Sequence, residues 1–268
     1  MSIPLEEKND LLLAINGTEE TLQIILARRE NEDEPYSLLE TKSLVVPGRS
    51  VNFMIPSIHD SLKLFGYKAT DISRIAIAAG PGSFTGLRLT FAGVAGISAG
   101  NGCPVGAMEY LPIIAKGAAL VSKLPVWAVT HSRRMQVYLQ GFEAISENIK
   151  LTAITPPLPL TVQKAAEVIL SYKQEKAVLT GTGLTKNKVF FDAFLAGNSQ
   201  YSAMPERFNF PDVRDILEAA EQADYSEEMP VPMYLRGSDA EENLEAIASK
   251  FGIPLEKARE RLKNVTPR

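Results

Sequence analysis

The chain has 268 residues, of which 45% are hydrophobic, enough for packed cores and too many for a disordered chain. Its net charge is −4 and no dense basic cluster stands out, so self-sufficient binding of nucleic acid is disfavoured. The single cysteine, Cys103, excludes an internal disulfide and fits a reducing compartment. No apolar run reaches 18 residues and no signal region opens the chain, so we expect a cytoplasmic protein that does not contact membranes.

Two kinds of hydrophobic pattern alternate through the first half of the chain. Short apolar runs between turns predict strands, and apolar residues three or four positions apart predict helices. Asn16-Gly17 is the strongest short hairpin signal and joins the first two strands. The predicted order is β-β-β-α-β-α-β followed by a helix, at residues 11–15, 21–27, 36–44, 51–65, 74–79, 87–100, 104–107 and 110–121.

The second half repeats this plan more loosely, which indicates a duplicated α/β architecture. Strands are predicted at 124–129, 137–142, 149–154 and 177–180, and helices at 161–172, 190–196 and 212–223. The prolines at 156–159 predict a break in the chain.

The predicted domain boundaries follow from this duplication. We assign residues 1–107 and 108–236 to the two halves, and residues 237–268 to a short C-terminal helical hairpin with a Gly-x-Pro corner at 252–254. The hairpin is a solvated appendage, a docking element for a partner or a helix-turn-helix, and the last of these lacks the basic recognition face that it needs.

A glycine-rich turn at residues 80–88, GPGSFTGLR, connects a predicted strand to a predicted helix. Free backbone N–H groups in such a turn can hold a phosphate, but a tight packing turn is the alternative. The turn lacks the Lys of a P-loop, and its glycines are one residue too far apart for a dinucleotide fingerprint. Ser83 and Thr85 are candidate helix caps, and Arg88 is either an anion contact or a solvated, ion-paired side chain.

The helix after this turn is rich in small residues, among them Ala92, Gly93, Gly96 and Gly100. Each interior glycine costs roughly 1 kcal/mol of helix stability relative to alanine, and it permits close approach of another backbone. That backbone belongs either to the chain's own sheet or to a helix of a second chain.

Few residues have the chemistry of a catalytic or metal site. His59 and His131 are the only histidines, and neither has a second ligand at helical spacing, so no metal site is predicted. Asn16 is neutral where a phosphoryl-transfer site needs a carboxylate in the first hairpin turn. Glu19 is the alternative source of that carboxylate, but we expect it to be an exposed turn residue. A second glycine turn, at residues 181–183, gives mild support to nucleotide binding.

Four segments together resemble the TsaB (YeaZ) family. The glycine turn is very close to that family's G-x-G-P-G-S-F-T-G-[LV]-R signature, with Ala78 in place of one glycine. Residues 12–20 resemble its opening L-A-I-D-T-S-T-E, with Asn16 for Asp. Residues 132–138 resemble D-A-R-x-G-E-V-Y with several departures, and residues 231–236 resemble the closing P-x-Y-L-R.

The resemblance implies the acetate-kinase/Hsp70/actin-like (ribonuclease H-like) fold and a role in making threonylcarbamoyladenosine on tRNA. It implies a non-catalytic scaffold subunit that pairs with a TsaD-like catalytic paralogue and a TsaE-like ATPase, and meets tRNA only as part of that complex. ATP or ADP is expected, if anywhere, at a subunit interface. A small-molecule kinase or ATPase of the same fold is the alternative, and a peptidase is the least supported.

The same resemblance suggests where the partners bind. The helices of the first half would form the face for the paralogue, or for a homodimer, through Ile55, Ile58, Leu62, Ala92, Gly93, Gly96 and Gly100. Any nucleotide or anion contact would involve Gly82, Ser83, Thr85 and Arg88.

Overall fold

The structure is a computed structural model that describes residues 10–145, 150–235, 248–250 and 253–257. The chain divides into two compact units, residues 1–233 and residues 234–268. The first unit contains two six-stranded sheets. Among the described residues, no helix is both long enough and apolar enough to cross a membrane.

The first sheet is mixed. Its strands are β1 (Asp10–Asn16), β2 (Thr21–Arg29), β3 (Ser37–Val45), β4 (Ile72–Gly80), β5 (Val105–Glu109) and β12 (Tyr225–Ser226). They lie in the order β12-β5-β4-β1-β2-β3, with β1, β2 and β3 antiparallel and with β4 parallel to β1 and β5. The predicted hairpin around Asn16-Gly17 is confirmed, because Asn16 pairs with Gln23.

Helices cover both faces of this sheet, which explains why its central strands are apolar on both sides. The helices are α1 (Ser50–Leu64), α2 (Phe84–Asn101), α3 (Tyr110–Ser122) and α7 (Val213–Glu221). Leu13 and Ile15 of β1 belong to a core with residues of α1 and α2, such as Met54 and Phe91. The alternate side chains of β1, Leu12 and Ala14, belong to a core that includes residues of α3 and α7.

The second sheet forms the other half. Its strands are β6 (Val126–Arg133), β7 (Gln136–Ile145), β8 (Lys150–Ala153), β9 (Leu158–Thr161), β10 (Ala177–Thr180) and β11 (Tyr201–Ala203). The order is β11-β10-β6-β7-β8, and β9 also pairs with β7. Trp127 and Leu139 pack here with residues of α4 (Val162–Ser171) and α6 (Lys188–Gly197).

The predicted duplicated α/β plan is therefore present, with three local differences. The proline segment expected to break the chain forms strand β9, where Pro159 lies in a short strand at the margin of the sheet. The last helix and strand of the second half, α7 and β12, return to the first sheet. A short helix, α5 (Thr182–Lys186), follows the second glycine turn.

The boundaries proposed at residues 107 and 236 remain predictions. Most of the predicted C-terminal hairpin, residues 237–268, lies outside the described residues. The described parts of that segment include helical residues 248–250 and 255–257.

Candidate functional site

The glycine turn packs directly against the turn between β1 and β2. Ser83 N donates to the Thr18 carbonyl oxygen at 2.7 Å. A Cβ atom at Gly82 would overlap that same carbonyl, and one at Gly86 would lie 3.0 Å from the carbonyl oxygen of Gly17. These glycines are therefore needed for close contact between two backbones, as the packing alternative predicted.

This packing uses backbone groups that a phosphate would otherwise bind. The Ser83 N–H is taken by Thr18, and Gly86 N donates to the Ser83 hydroxyl at 3.2 Å, so Ser83 caps α2 as predicted. Thr85 lies in the first turn of α2 and is exposed. The Arg88 guanidinium stacks on the Phe84 ring, 4.0 Å from its centroid. A nucleotide contact by Gly82, Ser83, Thr85 and Arg88 stays a prediction.

Asn16 is a structural residue of the hairpin turn. Its Oδ1 accepts from the backbone N (3.2 Å) and the hydroxyl (2.8 Å) of Thr18, and its Nδ2 donates to Gln23 Oε1 at 2.8 Å. The side chain is buried. Both its amide oxygen and its amide nitrogen are thus engaged within the protein, which fixes the conformation of the turn.

Glu19 differs most from its expectation. It is partly buried, whereas the sequence pattern predicted an exposed turn residue. The Tyr110 hydroxyl donates to Glu19 Oε2 at 2.7 Å, and the Thr182 hydroxyl donates to Glu19 Oε1. Tyr110 begins α3 and Thr182 begins α5, so the carboxylate connects the first hairpin turn to elements 91 and 163 residues away.

The environment of Glu19 favours its neutral form. Burial raises its pKa from 4.5 to about 7, against the hydrogen bonds from Thr182 and Tyr110, which lower it. The neighbouring charge of Glu20 adds to the rise. Tyr110 has a pKa well above its usual value, first because of burial and then because of Glu19. Glu19 therefore changes its protonation state near neutral pH.

The second glycine turn is also a packing turn. Gly181 has φ +117°, and a Cβ there would overlap the carbonyl of Val129; one at Gly183 would lie 2.7 Å from the same oxygen. Gly181 N donates to Oδ1 of the buried Asn209 at 3.0 Å. Both glycine turns therefore use close backbone contact to bring Glu19 and Thr182 together.

A cavity of about 430 Å³ lies between the two turns. Of the lining residues that belong to the described part of the chain, three are acidic, Glu19, Glu20 and Glu206, and one is a lysine, Lys186, which binds the Glu20 carboxylate at 2.9 Å. Hydroxyl side chains complete much of the lining: Thr18, Ser50, Ser83, Thr85, Ser132, Thr182 and Thr185. This excess of acidic groups does not suit a polyphosphate, which requires positive charge or free N–H donors.

The predicted partner face on α1 and α2 is partly core and partly surface. Ile58 and Leu62 are each 4% exposed and pack in the first core. A Cβ at Gly93 would overlap the Met54 side chain, so that glycine permits the contact between α1 and α2 within the chain. The exposed members of the predicted set are Ile55, Ala92, Gly96 and Gly100.

An apolar groove of about 530 Å³ adjoins this surface. Ile55, Tyr67 and Ile97 contribute to its lining. Apart from chain neighbours and the backbone of α2 itself, no atom of the described chain lies within 4 Å of a Cβ placed at Gly96 or Gly100. These two glycines therefore form an open surface on which another backbone can approach closely.

Residues suited to metal binding do not converge. Within the described ranges, no group of three or more His, Cys, Asp or Glu side chains is arranged to hold a metal ion. His59 is exposed on α1, whereas His131 lies at the cavity, where burial and Lys186 lower its pKa. Cys103 is buried, and burial raises the pKa of its thiol, as expected of a structural cysteine.

Comparison with known proteins gives a family model and a named relative. Residues 49–243 match the family model described as TsaD: tRNA N6-adenosine threonylcarbamoyltransferase. A Buchnera aphidicola (subsp. Baizongia pistaciae, strain Bp) protein, tRNA threonylcarbamoyladenosine biosynthesis protein TsaB, is 30% identical over 157 residues, which cover 56% of this chain and 70% of that protein.

Two solved structures from Pseudomonas aeruginosa share the fold. One is YeaZ, with a TM-score of 0.64 over 84% of this chain and 100% of that chain. The other is a protein with similarity to peptidase YeaZ, with a TM-score of 0.63 over 85% of this chain and 100% of that chain. Both are 21% identical to it.

The fold is thus the duplicated, actin-like α/β fold that the sequence predicted. The family model spans more than half of the chain, and the Buchnera relative carries the name of the family that the four segments resembled. The chain belongs to the TsaB (YeaZ) family, within the wider family described as tRNA N6-adenosine threonylcarbamoyltransferase.

Proposed function

We propose that this chain is the non-catalytic scaffold subunit of a complex that makes threonylcarbamoyladenosine on tRNA. In this proposal it pairs with a TsaD-like catalytic paralogue and is joined by a TsaE-like ATPase. The family match is the observation that carries the proposal, because the matched relative is named for this biosynthesis.

The lining of the cavity between the two glycine turns supports a non-catalytic role. The N–H of Ser83, in the glycine turn, is already bonded to the Thr18 carbonyl oxygen at 2.7 Å. Among the described residues that line the cavity, three are acidic and one is a lysine, and that lysine is paired with Glu20. A chain with this cavity contributes a binding surface to the complex and does not transfer phosphoryl groups. We propose that any ATP or ADP of the complex is bound at a subunit interface.

The exposed part of the α1–α2 surface supports the choice of docking site. Gly96 and Gly100 face open space, with Ile55, 45% exposed, on the neighbouring helix. Small residues on a helix surface allow a partner helix to pack closely, and exposed apolar side chains add buried area. The paralogue and a second copy of this chain would compete for this surface.

A reconstituted transferase assay tests the proposal. The chain alone should form no threonylcarbamoyladenosine on tRNA, and adding it to the catalytic paralogue and the ATPase should restore product formation. Equal product with and without this chain would exclude the scaffold role.

The kinase or ATPase alternative has its own test. We expect isothermal titration of the isolated chain with Mg-ATP to give no tight binding. Tight binding that is lost in Arg88→Ala would favour the enzyme alternative over the scaffold.

A further inference from the structure

Strand β3 forms one edge of the first sheet. It is the last strand in the order β12-β5-β4-β1-β2-β3, and among the described strands it pairs with β2 alone. At nine residues it is longer than most strands, and it contains no proline to block the addition of another strand. Helix α1 packs over β2. Within the described ranges, the outer side of β3 is therefore left for a strand of another chain.

The backbone groups on this outer side belong to alternate residues. Val46 N donates to the Glu20 carbonyl oxygen at 2.9 Å, so the backbone groups of Val46 point toward β2. Because successive residues of an antiparallel ladder point to opposite sides, those of Val45, Ser43 and Thr41 point away from β2. All three residues are exposed. Thr41, near the middle of β3, thus offers an N–H donor and a C=O acceptor to a further strand.

Opposite charges flank Thr41. Glu40 and Lys42 are two residues apart and lie on the same face of the strand, and both are partly buried. Lys42 Nζ donates to the Ser57 carbonyl oxygen at 2.9 Å and lies 3.8 Å from Glu40 Oε1. Glu40 Oε2 is buried and has no hydrogen-bond partner in the part of the chain that the structure describes. The Glu40 carboxylate is therefore only loosely paired within its own chain.

This edge is unsuited to most strands but suited to its own copy. An edge lysine and a β-bulge, here at Leu39, oppose pairing with an arbitrary strand. In the antiparallel register that places Thr41 opposite Thr41 of a second copy, Glu40 of each copy lies opposite Lys42 of the other. Leu39 then lies opposite Ser43, outside the three central residues. Moving the centre by one residue would place the two Lys42 side chains opposite each other, which is unfavourable.

We propose that β3 pairs with β3 of a second copy of this chain, in a two-fold antiparallel arrangement centred on Thr41. Thr41 N–H of each copy donates to the Thr41 carbonyl oxygen of the other, and two Glu40–Lys42 pairs flank this centre. The arrangement joins the first sheets of the two copies into one sheet, and its two-fold symmetry closes it at a dimer. Because the ladder is short, the dimer is weak and reversible.

Sedimentation equilibrium of the full chain, over a wide range of concentrations, tests the backbone pairing. The original chain should show a monomer–dimer equilibrium. Thr41→Pro removes the outward N–H at an edge position that tolerates proline, and should raise the dimer Kd about tenfold or more. The matched control Thr41→Val keeps the N–H and should dimerise like the original chain. A chain that stays monomeric, or equal dimerisation of the two variants, would overturn the proposal.

Charge exchange tests the register. Glu40→Lys and Lys42→Glu each place like charges opposite one another in their own dimers, so each alone should dimerise about tenfold more weakly or worse. Mixed in equal amounts, the two variants place opposite charges at both pairs and should form a mixed dimer with a Kd close to that of the original chain. Absence of this recovery overturns the register. If Lys42→Glu does not fold without its bond to Ser57, the Thr41 variants decide the proposal.

The α1–α2 surface is separated from this edge by a third variant. Gly96→Arg alters α2 and leaves β3 unchanged, so its dimer Kd should equal that of the original chain. Loss of the dimer in Gly96→Arg would assign self-association to the α1–α2 surface and overturn pairing through β3.

Discussion

Ser83 N donates to the carbonyl oxygen of Thr18 at 2.7 Å, and this bond joins the glycine turn to the first hairpin. The two residues are 65 positions apart, yet their backbones touch because Gly82 has no side chain between them. The turn that most resembles a phosphate loop in sequence is therefore a structural contact at the carboxyl ends of the central strands β1 and β4.

Gly82→Ala should destabilise the chain by about 2–4 kcal/mol, because its methyl group would overlap the backbone of Thr18. Chemical denaturation measures the change in the free energy of unfolding. Gly96→Ala is the matched control, since its methyl group enters open space within a helix and should stabilise the chain by about 0.4–1 kcal/mol. Equal effects of the two substitutions would contradict the close contact.

Ionisation of Glu19 should lower stability as the pH rises. Its pKa is about 7 in the folded chain against 4.5 for the ordinary group, so the folded state binds the proton more tightly than the unfolded state. Its contribution is fully present below pH 4.5 and is lost as pH rises through about 7, a difference of about 3 kcal/mol at most. Glu19→Gln should remove this slope.

Asp215 titrates in the same direction and must be separated from Glu19. Burial raises its pKa to about 6, against the lowering effect of Lys116. The measurement is therefore the difference in unfolding free energy between the original chain and Glu19→Gln at pH 5 and pH 8. If that difference is the same at both pH values, the environment assigned to Glu19 is wrong.

Tyr110→Phe should cost about 1–3 kcal/mol of stability, because it leaves a partly buried Glu19 oxygen without its donor. Loss of that donor should also raise the pKa of Glu19 further, since the hydrogen bond favours the ionised form. Tyr225→Phe, which removes a hydroxyl bonded to the Ala220 carbonyl, is a control that should change stability without moving the pKa. A Glu19 pKa unaffected by Tyr110→Phe would contradict the hydrogen bond between Tyr110 and Glu19.

Local patterns predicted the elements, whereas contacts across the chain determined the site. Asn16-Gly17 and the apolar runs beside it predict the first hairpin because turn chemistry and alternation are local. Glu19 looks exposed in sequence because nothing near it indicates that α5 returns to that turn. Its partner Thr182 follows a glycine turn, and those glycines were the one signal of close packing there.

Local sequence patterns also left open which face of α1 is buried and which is exposed. Helical spacing placed Ile55, Ile58 and Leu62 on one helix, but it does not say which of them meets the chain's own sheet. Ile58 and Leu62 pack in the first core, while Ile55 remains 45% exposed. Only the packing of α1 against α2 and β2 decides between these roles.

Binding of the catalytic paralogue by glycine-surface variants tests the central claim most directly. Gly96→Arg on α2 and its control Gly197→Arg on α6 both place a long side chain in open space, so both should fold. The measurement is the Kd for the paralogue by isothermal titration, together with threonylcarbamoyladenosine formed on tRNA. We predict at least tenfold weaker binding and loss of product for Gly96→Arg, and unchanged values for Gly197→Arg. Unchanged binding and product with Gly96→Arg would contradict a scaffold that acts through this surface.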